Sequence, residues 1–296
     1  MPNNNWGRWG DADERGTLNL LTPEVVKAAL ATPKTGKVYP LSIPIQRSGI
    51  PIFEHRGAPQ RLTMSGQNDE EHLHKAFGGV SGVGANEDVL IMAAHTATHL
   101  DALGHVYEDR KMYNGFSADD VSTSQGAPHC GIDRIGAIAA RGILVDIAAV
   151  RGVDALEPGY TISPEDFDNA LASEGVSVRP GDAVLIRTGW LESFLDGTDG
   201  AIYPQPGIGL ELAEYLASLD VSLVGSDNSA VEVMPFDRGV YLGSHIVLLV
   251  RHGICLLEHV LLDDMARDKC YEFLLNIGPL NVTGGTGSPV TPIAIG

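Results

Sequence analysis

The sequence has little cysteine, few basic side chains and no long apolar run, and each shortage excludes a class of protein. Its three cysteines, Cys130, Cys255 and Cys270, form no CxxC pair and no zinc-finger spacing, so no disulfide framework is expected and a reducing compartment fits. No apolar run approaches the ~18 residues that a membrane-spanning helix needs. The amino terminus lacks the basic and apolar regions of a secretory signal, so we expect a cytoplasmic location.

The shortage of basic side chains limits the partners of this chain. It has 38 acidic against 20 basic side chains, a formal net charge of −18. Such a surface repels phosphate backbones and anionic lipids. We therefore expect no nucleic-acid partner and no membrane partner, and a small molecule as the substrate.

Length and composition predict one well-filled domain. The chain has 296 residues, with 44% apolar and 20% charged side chains, which is typical of a globular protein. No repeat, low-complexity tract or clean domain boundary divides it. We therefore predict a single catalytic domain over 1–296, in which 1–20, rich in Asn, Gly, Trp and charge, form an irregular arm.

Caps and apolar patterns predict a mixed α/β fold. Thr22-Pro23-Glu24 and Ser163-Pro164-Glu165 each have a cap residue, a proline and an acid at the start of a helix, and apolar spacing predicts a third helix over 210–219. The segment 53–88 is predicted to be a long polar loop that serves as a lid or binding element. Short apolar runs predict strands at 89–94, 143–147, 183–187, 221–225, 246–250, 254–257 and 271–277.

Four side chains that can bind a metal lie within eleven residues: His95, His99, Asp101 and His105. Imidazole with carboxylate suits zinc, manganese, iron or similar ions. All four positions are odd-numbered, so an extended backbone directs their side chains to one face. A helix would instead turn Asp101 away from the first two histidines. The preceding run 89–94 is predicted to be a buried strand that ends at His95.

Packing alone is the alternative explanation, because a lone histidine is more often a core or surface residue than a ligand. Four metal-binding side chains at alternating positions after an apolar run favour a metal site over packing alone. Gly104 is predicted to interrupt the strand, which would leave His105 near the metal without binding it.

The stretch from His95 to His105 resembles the HxGTHxDxPxH motif of the cyclase/kynurenine formamidase-like metal hydrolases, which include arylformamidases and isatin hydrolases. Ala97 replaces the glycine of the motif, and Leu103 replaces its proline. The resemblance continues through later blocks and covers about 90–290. It implies a swivelling β/β/α domain of the cyclase/formamidase type, assembled into homo-oligomers (dimers or tetramers).

The resemblance also implies roles for individual residues. His95, His99 and Asp101 would bind the first metal ion, and His105 would be the general acid/base. His245 and Glu258 are similar to a distal pair that completes a second site, with Asp101 bridging. The expected cofactor is Zn²⁺ or Mn²⁺, as one or two ions.

These residues predict a metal-dependent amidohydrolase. Such an ion polarises a carbonyl and lowers the pKa of bound water from about 15.7 towards 7, which suits attack on a formamide, lactam or other cyclic amide of a small, aromatic substrate. The alternatives are a metal-dependent lactonase, a lyase or dehydratase, and a non-catalytic metal-binding protein. Only the enzymes would depend on His105.

Overall fold

A mixed sheet of nine strands forms the centre of the protein, described here over residues 4–197 and 202–296 of a computed structural model. Two further pairs of strands lie outside it. Within the described residues the strands are β1 Val38–Pro40, β2 Gln60–Ser65, β3 Glu87–Ile91, β4 His99–Asp101, β5 Ile138–Asp146, β6 Thr161–Ile162, β7 Ala183–Arg187, β8 Gly207–Ile208, β9 Leu223–Ser226, β10 Cys255–Glu258, β11 Glu272–Ile277, β12 Gly287–Pro289 and β13 Ile293–Ile295.

The strand order is β1-β13-β11-β5-β7-β9-β10-β4-β12. The four central strands β5, β7, β9 and β10 are parallel, whereas the strands towards both edges run antiparallel. The residues Val184, Leu185, Val224 and Leu256 are fully buried. Near-continuous apolar runs are typical of parallel strands covered on both faces. The predicted strands at 143–147, 183–187, 221–225, 254–257 and 271–277 are therefore confirmed, with shifted ends.

The predicted helices begin where their caps indicate. Thr22 Oγ1 accepts the N–H of Val25 at 3.4 Å, and Ser163 and Asp166 form a reciprocal capping box. The third predicted helix is also present. The α-helices are α1 Pro23–Ala29, α2 Glu70–Phe77, α3 Ile147–Val150, α4 Pro164–Glu174, α5 Trp190–Leu195, α6 Leu210–Ser218, α7 Gly243–His245 and α8 Asp263–Arg267.

Three sequence predictions of local structure are wrong. The predicted strand at 246–250 is a π-helix, Ile246–His252, because a short buried apolar run fits either structure. The predicted loop 53–88 contains β2 and α2. The run 89–94 is not a buried strand, because β3 pairs only with β2 in an exposed ribbon.

The amino-terminal arm lies on the surface of its own chain. Residues 4–15 have no helix or strand, and Trp6 Nε1 donates to the carbonyl of Val250 at 2.8 Å. Arg8 forms an ion pair with Asp220. None of the helices within 4–197 and 202–296 is both long enough and apolar enough to span a membrane.

Candidate metal centre

A sharp turn, not a continuous strand, brings the first histidine to the site. The chain turns at His95–Thr98 and becomes extended only at His99. Ala97 has a φ of 58°, the left-handed conformation that glycine adopts most readily. The prediction of one extended face from His95 to His105 is therefore wrong, although it holds for His99 and Asp101 in β4.

Strand pairing places an acidic residue opposite this motif. In the antiparallel pair of β4 and β10, Glu258 lies opposite His99. His99 Nε2 lies 3.2 Å from Glu258 Oε2 and 3.5 Å from Asp101 Oδ1. His95 Nδ1 lies 2.6 Å from the same Asp101 oxygen. Two carboxylates and two imidazoles thus meet at one buried point.

His245 reaches this point from the end of α7. Its Nε2 lies 3.5 Å from Glu258 Oε1 and 3.8 Å from Asp101 Oδ2. Its Nδ1 lies 2.5 Å from Oε1 of Glu232, which is itself buried. A carboxylate behind a ligand histidine fixes the ring and increases its basicity. The sequence analysis does not single out Glu232. The feature that could have indicated it is an acidic residue within the apolar run Ala230–Met234.

His105 lies at the border of the group, close enough to His95 and Asp101 to share a metal ion with them. Its Nε2 is 4.0 Å from Asp101 Oδ2, and its ring stacks on that of His95 with centroids 3.8 Å apart. The structure thus brings together all six residues selected from the sequence: His95, His99, Asp101, His105, His245 and Glu258.

Burial and mutual charge shift the pKa values of this group strongly. Burial lowers the pKa of His105 to about 3, with Asp101 opposing the shift. Burial works against charge on His245 too, but the hydrogen bond to Glu232 and its charge raise its pKa to about 10. Burial and Asp101 would raise the pKa of Glu258, yet His99 and His245 lower it to about 2. These opposite shifts arise because buried imidazoles and buried carboxylates face one another, and strongly shifted pKa values of this kind are concentrated at functional sites.

The donor atoms fit a divalent metal ion. Among the described residues, the buried atoms His99 Nε2, Asp101 Oδ2 and Glu258 Oε2 form no hydrogen bond, although His99 Nε2 and Glu258 Oε2 lie only 3.2 Å apart. Such atoms are costly to bury unless something binds them. Ligand atoms around a tetrahedral zinc ion are about 3.3 Å apart, given bonds of about 2.0–2.2 Å. The distances from His99 and His245 to the two carboxylates, 3.2 to 3.8 Å, are close to that spacing, whereas His95 Nδ1 lies nearer, at 2.6 Å from Asp101.

A further histidine lies close enough to His99 and Glu258 to contribute to a metal-binding group. His259 lies next to Glu258, but its Nδ1 donates to the carbonyl of Ala97 at 3.0 Å. Its Nε2 lies 2.7 Å from Ser229 Oγ. Both ring nitrogens are therefore hydrogen-bonded, and His259 supports the turn at Ala97. Asp227 is a second buried acid outside the group. It accepts the backbone N–H groups of Thr188 and Gly189 and so stabilises the turn at these two residues.

A pocket of about 560 Å³ opens onto the group, with His105, His245 and Glu258 in its wall. Its volume falls within the range of small-molecule sites. The aromatic side chains Phe53, Tyr203, Phe236 and Tyr241 form much of the remaining wall, together with Arg56. Phe53 and Arg56 belong to the segment 53–88, which the sequence predicts to be a lid or binding element, whereas no sequence motif marks Tyr203, Phe236 and Tyr241.

Comparison with known proteins gives a consistent set of relatives. A model of the family described as "Putative cyclase" matches residues 39–233. Cyclase-like protein 3 of Oryza sativa subsp. japonica is 27% identical, over 94% of this chain and 96% of its own length. A kynurenine formamidase of Bacillus cereus is 28% identical, over 70% of this chain and 79% of its own.

The fold is also that of a solved structure. A crystal structure described as a novel cyclase superposes with a TM-score of 0.89 and is 34% identical, covering 99% of this chain and 97% of the other. The mixed α/β fold of the cyclase/formamidase type that the sequence predicts is thereby confirmed.

Proposed function

Because this chain belongs to the cyclase family of metal-dependent hydrolases, we propose that it cleaves an amide bond of a small, aromatic substrate. The observation that carries this proposal is the group of buried donor atoms without a hydrogen bond at His99, Asp101 and Glu258, of which Glu258 lines an aromatic pocket. The kynurenine formamidase relative supports an amide rather than an ester as the bond that is cleaved.

We assign the metal ligands as follows. His95, His99 and Asp101 would hold a first ion, and His245 and Glu258 together with Asp101 would hold a second. This set of nitrogen and carboxylate donors suits Zn²⁺ or Mn²⁺. A divalent ion bound there supplies Lewis-acid polarisation of the substrate carbonyl and acidifies water.

His105 is the residue we assign to proton transfer. It lies in the pocket wall beside Asp101, where it can reach both the attacking water and the scissile bond. In hydrolysis, its ring takes a proton from water as the new C–O bond forms, then gives that proton to the amide nitrogen as the C–N bond breaks. Water and amide become a carboxylic acid and an amine.

The remaining side chains orient these groups and shape the pocket. Glu232 holds the His245 ring, and the carbonyl of Ala97 accepts from Nδ1 of His99 at 2.8 Å. Phe53, Tyr203, Phe236 and Tyr241 provide flat apolar surface. Aromatic walls of this kind favour a planar ring as the bound group.

Turnover of a defined panel in ¹⁸O-labelled water tests this function. Purified protein loaded with zinc or manganese is given formanilide, a benzo-fused lactam and a benzo-fused lactone. Release of aniline or an amino acid, with one ¹⁸O in the carboxylate, supports amide hydrolysis. Turnover of the lactone alone would indicate a lactonase. Product that contains no ¹⁸O would indicate a lyase, and no turnover at full metal content would indicate a non-catalytic protein.

A further inference from the structure

One cationic side chain in the pocket has no role in the proposed chemistry. The half-buried guanidinium of Arg56 lines the pocket, and no carboxylate of the described residues lies within 4.0 Å of it. This is unusual in a chain with a net charge of −18. Arg61, on the adjoining ribbon, is paired with Asp88 at 2.7 Å.

The position of Arg56 is fixed by two contacts that leave most of its donors available. Nη1 donates to the carbonyl of His95, and the guanidinium lies 5.0 Å from the centroid of the Phe53 ring. Within the described segments, Nε and Nη2 have no hydrogen-bond partner. An arginine has five donors in a planar fork that matches a carboxylate.

The carboxylates around the pocket do not neutralise the positive charge of Arg56. The carboxylates of Asp101 and Glu258 face the metal position, and that of Glu232 is paired with His245. Glu258 is the one acid among the described residues that line this pocket, and it is part of the metal group. The charge of Arg56 therefore remains for a group that enters with the substrate.

Resting on the amide hydrolysis proposed above, we propose that Arg56 binds a carboxylate of the substrate, so that the enzyme selects aryl amides with a negative charge near the scissile bond. The contact to the His95 carbonyl places the guanidinium beside the metal group. The contact to Phe53 places it at the edge of the aromatic wall. A ring between the walls can thus present its amide to the metal group and its carboxylate to Arg56.

Matched substrates that differ in this charge alone test the inference. The probes are 2-, 3- and 4-formamidobenzoate and their methyl esters, with turnover followed as release of the arylamine. For the preferred isomer, the parent should show a kcat/KM about ten- to a hundredfold higher for the acid than for its ester, mainly through KM, as expected for a hydrogen bond to a charged group.

Variants then assign the preference to Arg56. Arg56→Gln should lower kcat/KM for the acid far more than for the ester, so that the tenfold to hundredfold preference is lost. Arg56→Lys should retain part of it, because lysine keeps the charge but not the fork. Arg61→Gln, outside the pocket, should behave as the parent. If Arg56→Gln does not fold, a reduced preference in Arg56→Lys provides the same support.

Other outcomes separate the possible failures. An equal loss on acid and ester in Arg56→Gln would mean that Arg56 only supports the His95 turn, and would overturn the inference. Equal turnover of acids and esters by the parent would also overturn it. If the metal-loaded parent cleaves none of the formamides, the amide hydrolysis itself fails and the inference falls with it.

Discussion

Glu232 Oε1 lies 2.5 Å from Nδ1 of His245, and the two side chains are both buried. The opposite ring nitrogen of His245 faces Glu258 and Asp101. Glu232 also accepts the backbone N–H of Ser244 at 3.1 Å. One carboxylate thus fixes both the start of α7 and the orientation of the histidine at its end.

Replacing this carboxylate should weaken metal binding without unfolding the protein. Glu232→Gln removes the charge behind His245, and losses of such supporting groups cost about 10–100-fold in metal affinity. Competition with a chromophoric chelator measures this affinity. The control is Glu211→Gln, an exposed acid paired with Arg238. An unchanged affinity in Glu232→Gln would show that Glu232 does not support a ligand.

Gly287 should be essential for the position of His95. A Cβ built on Gly287 would lie 2.4 Å from Cε1 of the His95 ring, so a methyl group there displaces the ring. Gly287→Ala should lower metal content and turnover together, by at least about tenfold in affinity. Elemental analysis and the formamide assay measure these effects.

Gly278 provides the matched control for that substitution. It follows directly after β11, has an ordinary φ, and a Cβ there meets nothing within 4 Å. Gly278→Ala should leave metal content and turnover unchanged. If Gly287→Ala behaves in the same way, the packing of β12 against His95 does not position a ligand.

His105→Ala should separate metal binding from chemistry. The variant retains His95, His99, Asp101, His245 and Glu258, so its metal content should equal that of the parent. Loss of a general acid/base lowers kcat by about 10²–10⁴-fold. His72→Ala, which removes an exposed histidine outside the pocket, is the control. Full turnover in His105→Ala would assign the proton transfer to another group.

Glu174 should make the stability of the protein depend on pH. Burial raises the pKa of this carboxyl to about 7, since only one oxygen is hydrogen-bonded, to the N–H of Asp146, and Asp146 is itself acidic. The folded state then holds a proton that the unfolded state loses near pH 4.5. Stability contributed by the neutral group is present below that pH and declines as pH rises towards 7.

Glu174→Gln should therefore be more stable than the parent at pH 8, by about 1 kcal/mol after allowance for solvent screening, and equal to it at pH 4.5. Urea unfolding at both pH values gives the two free energies. Glu157→Gln, at an exposed acid, should show no such dependence. A stability difference that does not change with pH would show that burial of Glu174 does not raise its pKa.

The local part of the site could be predicted from the sequence, and the reason is geometric. His99 and Asp101 are two residues apart, which fixes them to one face of any strand. His95 reaches them differently, through the left-handed turn at Ala97. The family motif has glycine at this position, which was the available signal for a turn.

The distant part of the site depended on resemblance. The spacing of residues along the sequence does not place His245 and Glu258 beside His99. Their positions depend on contacts between distant segments, namely the packing of α7 near the site and the pairing of β10 with β4. Glu232 and the aromatic walls carried no motif and were found only in the structure. The run 246–250 was mistaken for a strand because burial on all sides hides the period that distinguishes strand from helix.

Metal content tests the central claim most directly. The protein is purified without chelator or added metal, next to His99→Ala, and both are subjected to elemental analysis. We expect about one or two equivalents of zinc or manganese in the parent and none retained in the variant, because His99 lies between Asp101 and Glu258. Full metal content in His99→Ala, or a parent that takes up no metal on titration, would contradict the account.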